Sequence, residues 1–349
     1  MVKKYDVLRI FAGMALFLLV FSCKSTPPGP SMAPDELNQA RSDAEYQRMI
    51  AIDFLGPQYF PQEYNAAEAI YARAQALESS GAAGFAEAFE QYVAAAAAYR
   101  QLNDVLLPRY FDDKAQESAA AREDAVTVGA QTYNAEALAE ADQAIAHGQE
   151  RYEAKDYYPA KEQYALALNY YWYLKPMAEA QGEKADIDAN RLDRFDPAGY
   201  AQAAELIDSA ALAFGQEEYP QALSDAEEGL AKFREVSHAG WLALSQEKEQ
   251  AVRAEQSRAL EIKAEVAMRR DYEAALAVYQ RGNQSASDEE YKTAYSIYSE
   301  AETLFNTVYR NTLQRRRSAE TMIRNADRRI SESGDLARTV QAELQGGSR

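Results

Sequence analysis

Tyr291-Lys292-Thr293-Ala294-Tyr295-Ser296-Ile297-Tyr298-Ser299-Glu300-Ala301-Glu302-Thr303-Leu304-Phe305 decides the fold of this chain. Tyr291, Ala294, Tyr298 and Phe305 stand at offsets of 3, 7 and 14, so they lie along one stripe of a helix. The phrase occurs three more times, as Phe85-Ala88-Tyr92-Tyr99, Tyr157-Ala160-Tyr164-Tyr171 and Tyr219-Ala222-Ala226-Phe233. The key alanines Ala88, Ala160, Ala222 and Ala294 are 72, 62 and 72 residues apart. A helical stripe that returns at long intervals predicts repeated helical units.

Small residues stand ahead of each stripe: Ala76, Gly148, Ala210 and Gly282 lie twelve residues before each alanine. In the first unit Ala74 takes this place once two extra loop residues are allowed for. Turn signals fall between, at Ser79-Ser80-Gly81, Ala154-Lys155-Asp156, Gly215-Gln216 and residues 285–288. Each unit therefore reads as an antiparallel helical hairpin, with small residues where the two helices approach. The first helices repeat too, as Tyr64-Ala67-Ile70-Ala74, Leu138-Ala141-Ala144-Gly148, Tyr200-Ala203-Leu206-Ala210 and Tyr272-Ala275-Val278-Gly282. The connectors 101–131, 175–196 and 235–270 hold the rest. The last is rich in Ala, Glu, Lys, Gln and Arg and predicts helix that prolongs one hairpin into the next. No Val/Ile/Thr alternation bounded by turns predicts a strand.

A small residue, an aromatic at +9, Ala at +12, Tyr or Ala at +16 and a small residue at +19 resembles the tetratricopeptide repeat. Gly282, Tyr291, Ala294, Tyr298 and Ala301 carry the match, as do Gly148, Tyr152, Tyr157, Ala160, Tyr164 and Ala167. The period departs from that family, whose units are about half as long. The resemblance implies an all-α fold of antiparallel hairpins stacked as a tetratricopeptide-like solenoid with long helix arms. An antiparallel coiled-coil bundle is the other architecture with such spacing. In tetratricopeptide hairpins the first helix lines a groove, which implies a partner groove at Tyr71, Ile145, Tyr152, Ile207, Phe214 and Tyr279. The opposite reading of these residues is ordinary core beneath the long arms.

The N-terminus carries an address. Lys3, Lys4 and Arg9 precede the apolar residues 10–21, and Val20-Phe21-Ser22-Cys23 follows, with the chain's one cysteine. This resembles the lipobox of a bacterial lipoprotein, of the relaxed spirochaete type because Phe21 stands where a small residue is usual. The resemblance implies a signal peptide at 1–22, cleavage before Cys23, and acylation of that residue by palmitate-like chains. It places the protein in the bacterial cell envelope, lipid-anchored and most simply facing the periplasm. Residues 24–34 hold four prolines and a glycine, so 23–35 reads as anchor and extended tether. A helical-repeat domain over 36–344 and a disordered tail at 345–349 complete the expected organisation.

Charge and composition bear on partners. Removing Lys3, Lys4, Arg9 and Asp6 with the signal moves the formal net charge from −18 to −20. Such a body repels nucleic-acid phosphates, so no nucleic-acid partner is expected. One stretch runs the other way. Arg310, Arg315, Arg316, Arg317, Arg324, Arg328 and Arg329 crowd residues 310–329 beside only Glu320 and Asp327. That basic patch suits anionic headgroups or an acidic partner, or is a solvated helix face.

Signs of catalysis are lacking. His147 and His238 have no neighbours at ligand spacing, no Gly-rich phosphate loop occurs, and Cys23 is consumed by lipid. A non-enzyme with no cofactor and no metal is expected. The leading function is to hold a protein or peptide partner near the membrane. The alternatives are a ligand-binding accessory lipoprotein of a transport system and a structural envelope spacer.

Overall fold

A computed structural model describes residues 34–346, with side chains to 344; the signal segment, Cys23, most of the tether and the last three residues lie outside them. The protein is all-α, and no strand occurs among the described residues. The helices are α1 (Pro34–Asp53), α2 (Gly56–Tyr59), α3 (Pro61–Ser79), α4 (Phe85–Thr127), α5 (Ala130–Tyr133), α6 (Ala135–Glu153), α7 (Tyr157–Asn190), α8 (Pro197–Gly215), α9 (Tyr219–Glu261), α10 (Ala264–Ala267), α11 (Arg269–Ser287) and α12 (Tyr291–Gly346). The helical region begins at Pro34, two residues ahead of the expected start, because proline is tolerated in a first helical turn.

Two compact units divide the chain, Met1–Asp112 and Asp113–Arg349. In the first, α1, α3 and the start of α4 pack together. Asn103 donates to the Gln47 carbonyl at 3.0 Å, Arg41 pairs with Glu78, and the rings of Tyr71 and Tyr92 meet edge-on at 5.7 Å. In the second unit the same plan recurs three times. The end of α4 packs with α6 and the start of α7, the end of α7 with α8 and the start of α9, and the end of α9 with α11 and the start of α12. A long helix thus closes one three-helix group and opens the next.

The hairpins are α3–α4, α6–α7, α8–α9 and α11–α12, and each first arm is 19 residues long. The eight repeated alanines Ala67, Ala141, Ala203, Ala275, Ala88, Ala160, Ala222 and Ala294 are all fully buried. They let paired helices approach closely. At Gly282 a Cβ would stand 2.6 Å from the Tyr298 ring, and at Gly148 3.0 Å from the Tyr164 ring.

Every repeat is punctuated by two left-handed residues. Leu55, Gly129, Arg191 and Lys263 end the long helices, and Gly81, Lys155, Glu217 and Glu289 follow 26 residues later in each case. The corners at Lys155, Glu217 and Glu289 close with Schellman bonds: the amides of Asp156, Glu218 and Glu290 each donate to a carbonyl five residues back, at 2.9 Å. The third and fourth corners fall at 216–218 and 288–290, slightly beyond the turn signals at Gly215-Gln216 and 285–288. Charged residues hold the left-handed position there, so the usual glycine marker is missing.

Candidate functional site

The second unit carries one groove that is both roomy and chemically mixed. The end of α4, α7 and α9 wall a cavity of about 800 Å³. Ala121, Pro176, Leu223 and Leu230 make it apolar, and Glu117, Asp124, Glu179 and Glu227 give its rim four carboxylates. Three of these carboxylates are already paired, Glu117 with Lys114 at 2.7 Å and the other two with the rim's own cations, which leaves Glu227. Lys175 donates to Asp124 at 2.7 Å, which raises the lysine pKa, and Arg234 pairs with Glu179. Trp172 lies on this wall with 43% of its surface exposed. Its indole N–H makes no hydrogen bond among the described residues. A large exposed aromatic face within a carboxylate rim suits a cation with an apolar stem.

Tyr171, the neighbour of Trp172, also lines this groove, and its hydroxyl reaches across to α6. Its hydroxyl donates to Asp142 at 2.7 Å, and Arg122 donates to both oxygens of that carboxylate at 2.7 and 2.8 Å. The Arg122 bond holds the Asp142 carboxyl below its usual range, while burial and then Asp142 push the Tyr171 phenol up. The first unit builds the same triad from Tyr99, Glu68 and Arg48.

No family model, curated protein or solved structure matches this chain. The site is therefore read from its own chemistry.

The stripe expected to line a groove falls mainly between helices. Tyr71 is buried, and its hydroxyl donates to Glu45 of α1 at 3.2 Å. Tyr279 is buried too; it donates to Glu249 and accepts from Arg253 of α9, both at 3.0 Å. Ile207 is half-buried against Gly229, and Ile145 against the α4–α6–α7 core. Phe214 stacks on Tyr173 at 4.1 Å and meets Tyr170 and Tyr219 edge-on. Tyr152 faces Tyr157 across the corner at 6.2 Å. The physical reason is the length of the arms: the end of the preceding long helix covers the face that a shorter hairpin leaves open.

The basic patch lies on α12 where that helix has left the bundle. Arg315, Arg316, Arg317, Arg324, Arg328 and Arg329 are all exposed. Arg316 pairs with Glu320 at 3.2 Å, Arg328 with Glu332 at 3.8 Å, and Arg315 reaches the Ala267 carbonyl at 3.3 Å. Cys23 lies outside the described residues. His147 and His238 are exposed and far apart in the chain, and no cluster of metal-ligating side chains occurs among the described residues. None of the described helices is long and apolar enough to cross a membrane.

Trp172 escaped the sequence reading because it stands twelve residues beyond Ala160, off the repeated stripe. The signal was available: Arg100, Arg234 and Asn306 hold the equivalent places in the other hairpins. A tryptophan where the others are polar sets the outward face of this hairpin apart from the other three.

Proposed function

We propose that this chain is a lipid-anchored, non-catalytic helical-repeat protein of the bacterial envelope that holds a protein or peptide partner near the membrane. The lipobox-like segment ending at Cys23 supports the anchor. The repeat spacing supports a tetratricopeptide-like stack of the hairpins. The observation that carries the binding reading is Trp172, exposed in a groove whose rim holds four carboxylates. The partner segment is basic: a Lys or Arg side chain lays its stem on the indole and its charge beside Glu227, the rim carboxylate with no ion pair among the described residues. The mixed lining of this groove favours a peptide over an apolar small molecule.

The test is binding of Lys/Arg-containing peptides, followed by the emission of Trp172; Trp241 is only 7% exposed. Trp172→Ala and Glu227→Lys are expected each to weaken binding by about tenfold or more. Affinity unchanged in both variants would remove the groove as the binding site.

A further inference from the structure

From residue 314 to residue 344 every side chain of α12 is exposed. This arm is a helix of about 45 Å, and only its base, where Arg315 reaches the Ala267 carbonyl and Ala319 and Met322 line a pocket with Met268, lies against another element. It is not uniformly polar. Ala319, Ile323, Ala326, Ile330, Ser333, Ala337, Val340 and Leu344 follow one another at alternating steps of four and three. That is the seam of a coiled coil. Ile323, Ile330 and Leu344 are 60, 70 and 73% exposed, and Met322 and Leu336 flank the seam at 70 and 67%. So large an apolar stripe on a soluble helix marks a contact surface.

The seam differs from the one the other long helices present to their next hairpin. Those helices bury the residues eleven and four places before their left-handed end: Ala44 and Ala51, Ser118 and Ala125, Ala180 and Ile187, Val252 and Ala259. The count that holds after Ala88 and Ala222 brings Arg324 and Ser331 to these places in α12, and the shorter count that holds after Ala160 brings Gln314 and Thr321. The arm is therefore not the opening helix of one more group of the same kind. A bilayer is also a poor occupant. Half the seam is Ala or Ser, which add little to insertion, and no aromatic joins them. Small residues alternating with large ones are what close helix pairing requires.

We propose that the α12 arm pairs antiparallel with the same arm of a second copy. Two features of the sequence fit that occupant. First, antiparallel alignment sets Ile330 against Ser333, Ile323 against Val340, Leu344 against Ala319 and Ala326 against Ala337. Two of these four layers match a large residue with a small one, one sets two β-branched residues together, and one sets two alanines together. Second, residues 315–329 carry six arginines and two acids, whereas 330–346 carry Glu332, Asp335 and Glu343 against Arg338 alone. The basic half of each arm meets the acidic half of its partner; parallel alignment stacks arginines on arginines. The contact is isologous and closes as a two-fold dimer.

The test uses the full chain in mild detergent. Sedimentation is expected to give twice the chain mass. Ile330→Glu should raise the dissociation constant at least about tenfold. Its helicity and melting should change little, since Ile330 is 70% exposed within its own chain. Orientation is read by cysteine pairs. Ala326→Cys and Ala337→Cys chains, prepared separately, should form an intermolecular disulfide when mixed but not alone, beyond the background that Cys23 gives in the parent chain. A monomer at tens of micromolar overturns the proposal, as does cross-linking of Ala326→Cys chains with each other. Monomeric protein that binds phosphatidylglycerol vesicles, and loses that binding in Ile330→Glu, overturns it in favour of a lipid surface.

Discussion

The buried hydroxyl of Tyr171 donates to Asp142 at 2.7 Å, and wherever this repeat places phenylalanine instead, the carboxylate is gone. Tyr99 and Tyr171 face Glu68 and Asp142. Phe233 and Phe305, at the same place in the third and fourth hairpins, have Ala204 and Leu276 at the corresponding first-arm position. Donor and acceptor come and go together because a buried hydroxyl left without a partner costs more than the bond itself returns.

The pair predicts a coupling. Asp142→Ala leaves the Tyr171 hydroxyl orphaned and is expected to cost about 1–3 kcal/mol. Adding Tyr171→Phe should recover part of that loss, since the double variant reproduces what the third hairpin already tolerates. Urea unfolding of the four proteins measures it; strictly additive losses would mean the hydroxyl and the carboxylate do not interact.

A second prediction concerns Gly282. A methyl group there would lie 2.6 Å from the ring of Tyr298, in a corner that also holds fully buried Ala294. Gly282→Ala is expected to lower stability by roughly 1–3 kcal/mol despite its gain in helix propensity. Gly215→Ala, with nothing within 4 Å, should be close to neutral or stabilising. The contrast between the two melting points is the readout.

At the corners the expectation reverses. Glu289 is exposed and holds φ 62°, a left-handed backbone that costs a residue with a Cβ about 1–2 kcal/mol. Glu289→Gly should therefore raise stability by roughly half to one kcal/mol after the added freedom of the unfolded chain is counted. A fall in denaturation midpoint would show that the Glu289 side chain contributes a contact of its own.

Alkaline pH should loosen the second unit. Burial pushes the Tyr173 phenol up to about 12, and burial with nearby Glu140 does the same for Tyr170. Both are raised above the unfolded value near 10. The neutral phenols therefore contribute stability that is fully present below about pH 10 and is lost as pH climbs towards 12. Absorbance titration should show these tyrosines ionising late and together with loss of helicity. Early, reversible ionisation of all tyrosines in the folded protein would contradict it.

The anchor has its own test. In cells, Cys23→Ser should abolish labelling by a fatty-acid analogue and leave the apolar residues 10–21 attached. Labelling that survives the change would place the acyl group elsewhere.

How much was legible follows from what each signal depends on. The hairpins, their corner alanines and their long arms could be read because small residues at fixed helical offsets are a local demand: two helices cannot approach unless both positions are small. The groove stripe could not be read. Tyr71 and Tyr279 have the same spacing whether they meet a ligand or a neighbouring helix, and only the course of α1 and α9 across them decides it.

By itself, the sequence determined that this chain is helical, that it is built from four like hairpins, and that its charge is divided between an acidic body and a basic stretch near the end. Periodicity, small-residue spacing and charge are properties of the chain alone. Only the tertiary structure decided that Trp172 stands exposed among carboxylates, and that α12 runs beyond the last hairpin with its apolar seam uncovered. Exposure is set by which helices lie across a residue, and those helices come from distant parts of the sequence.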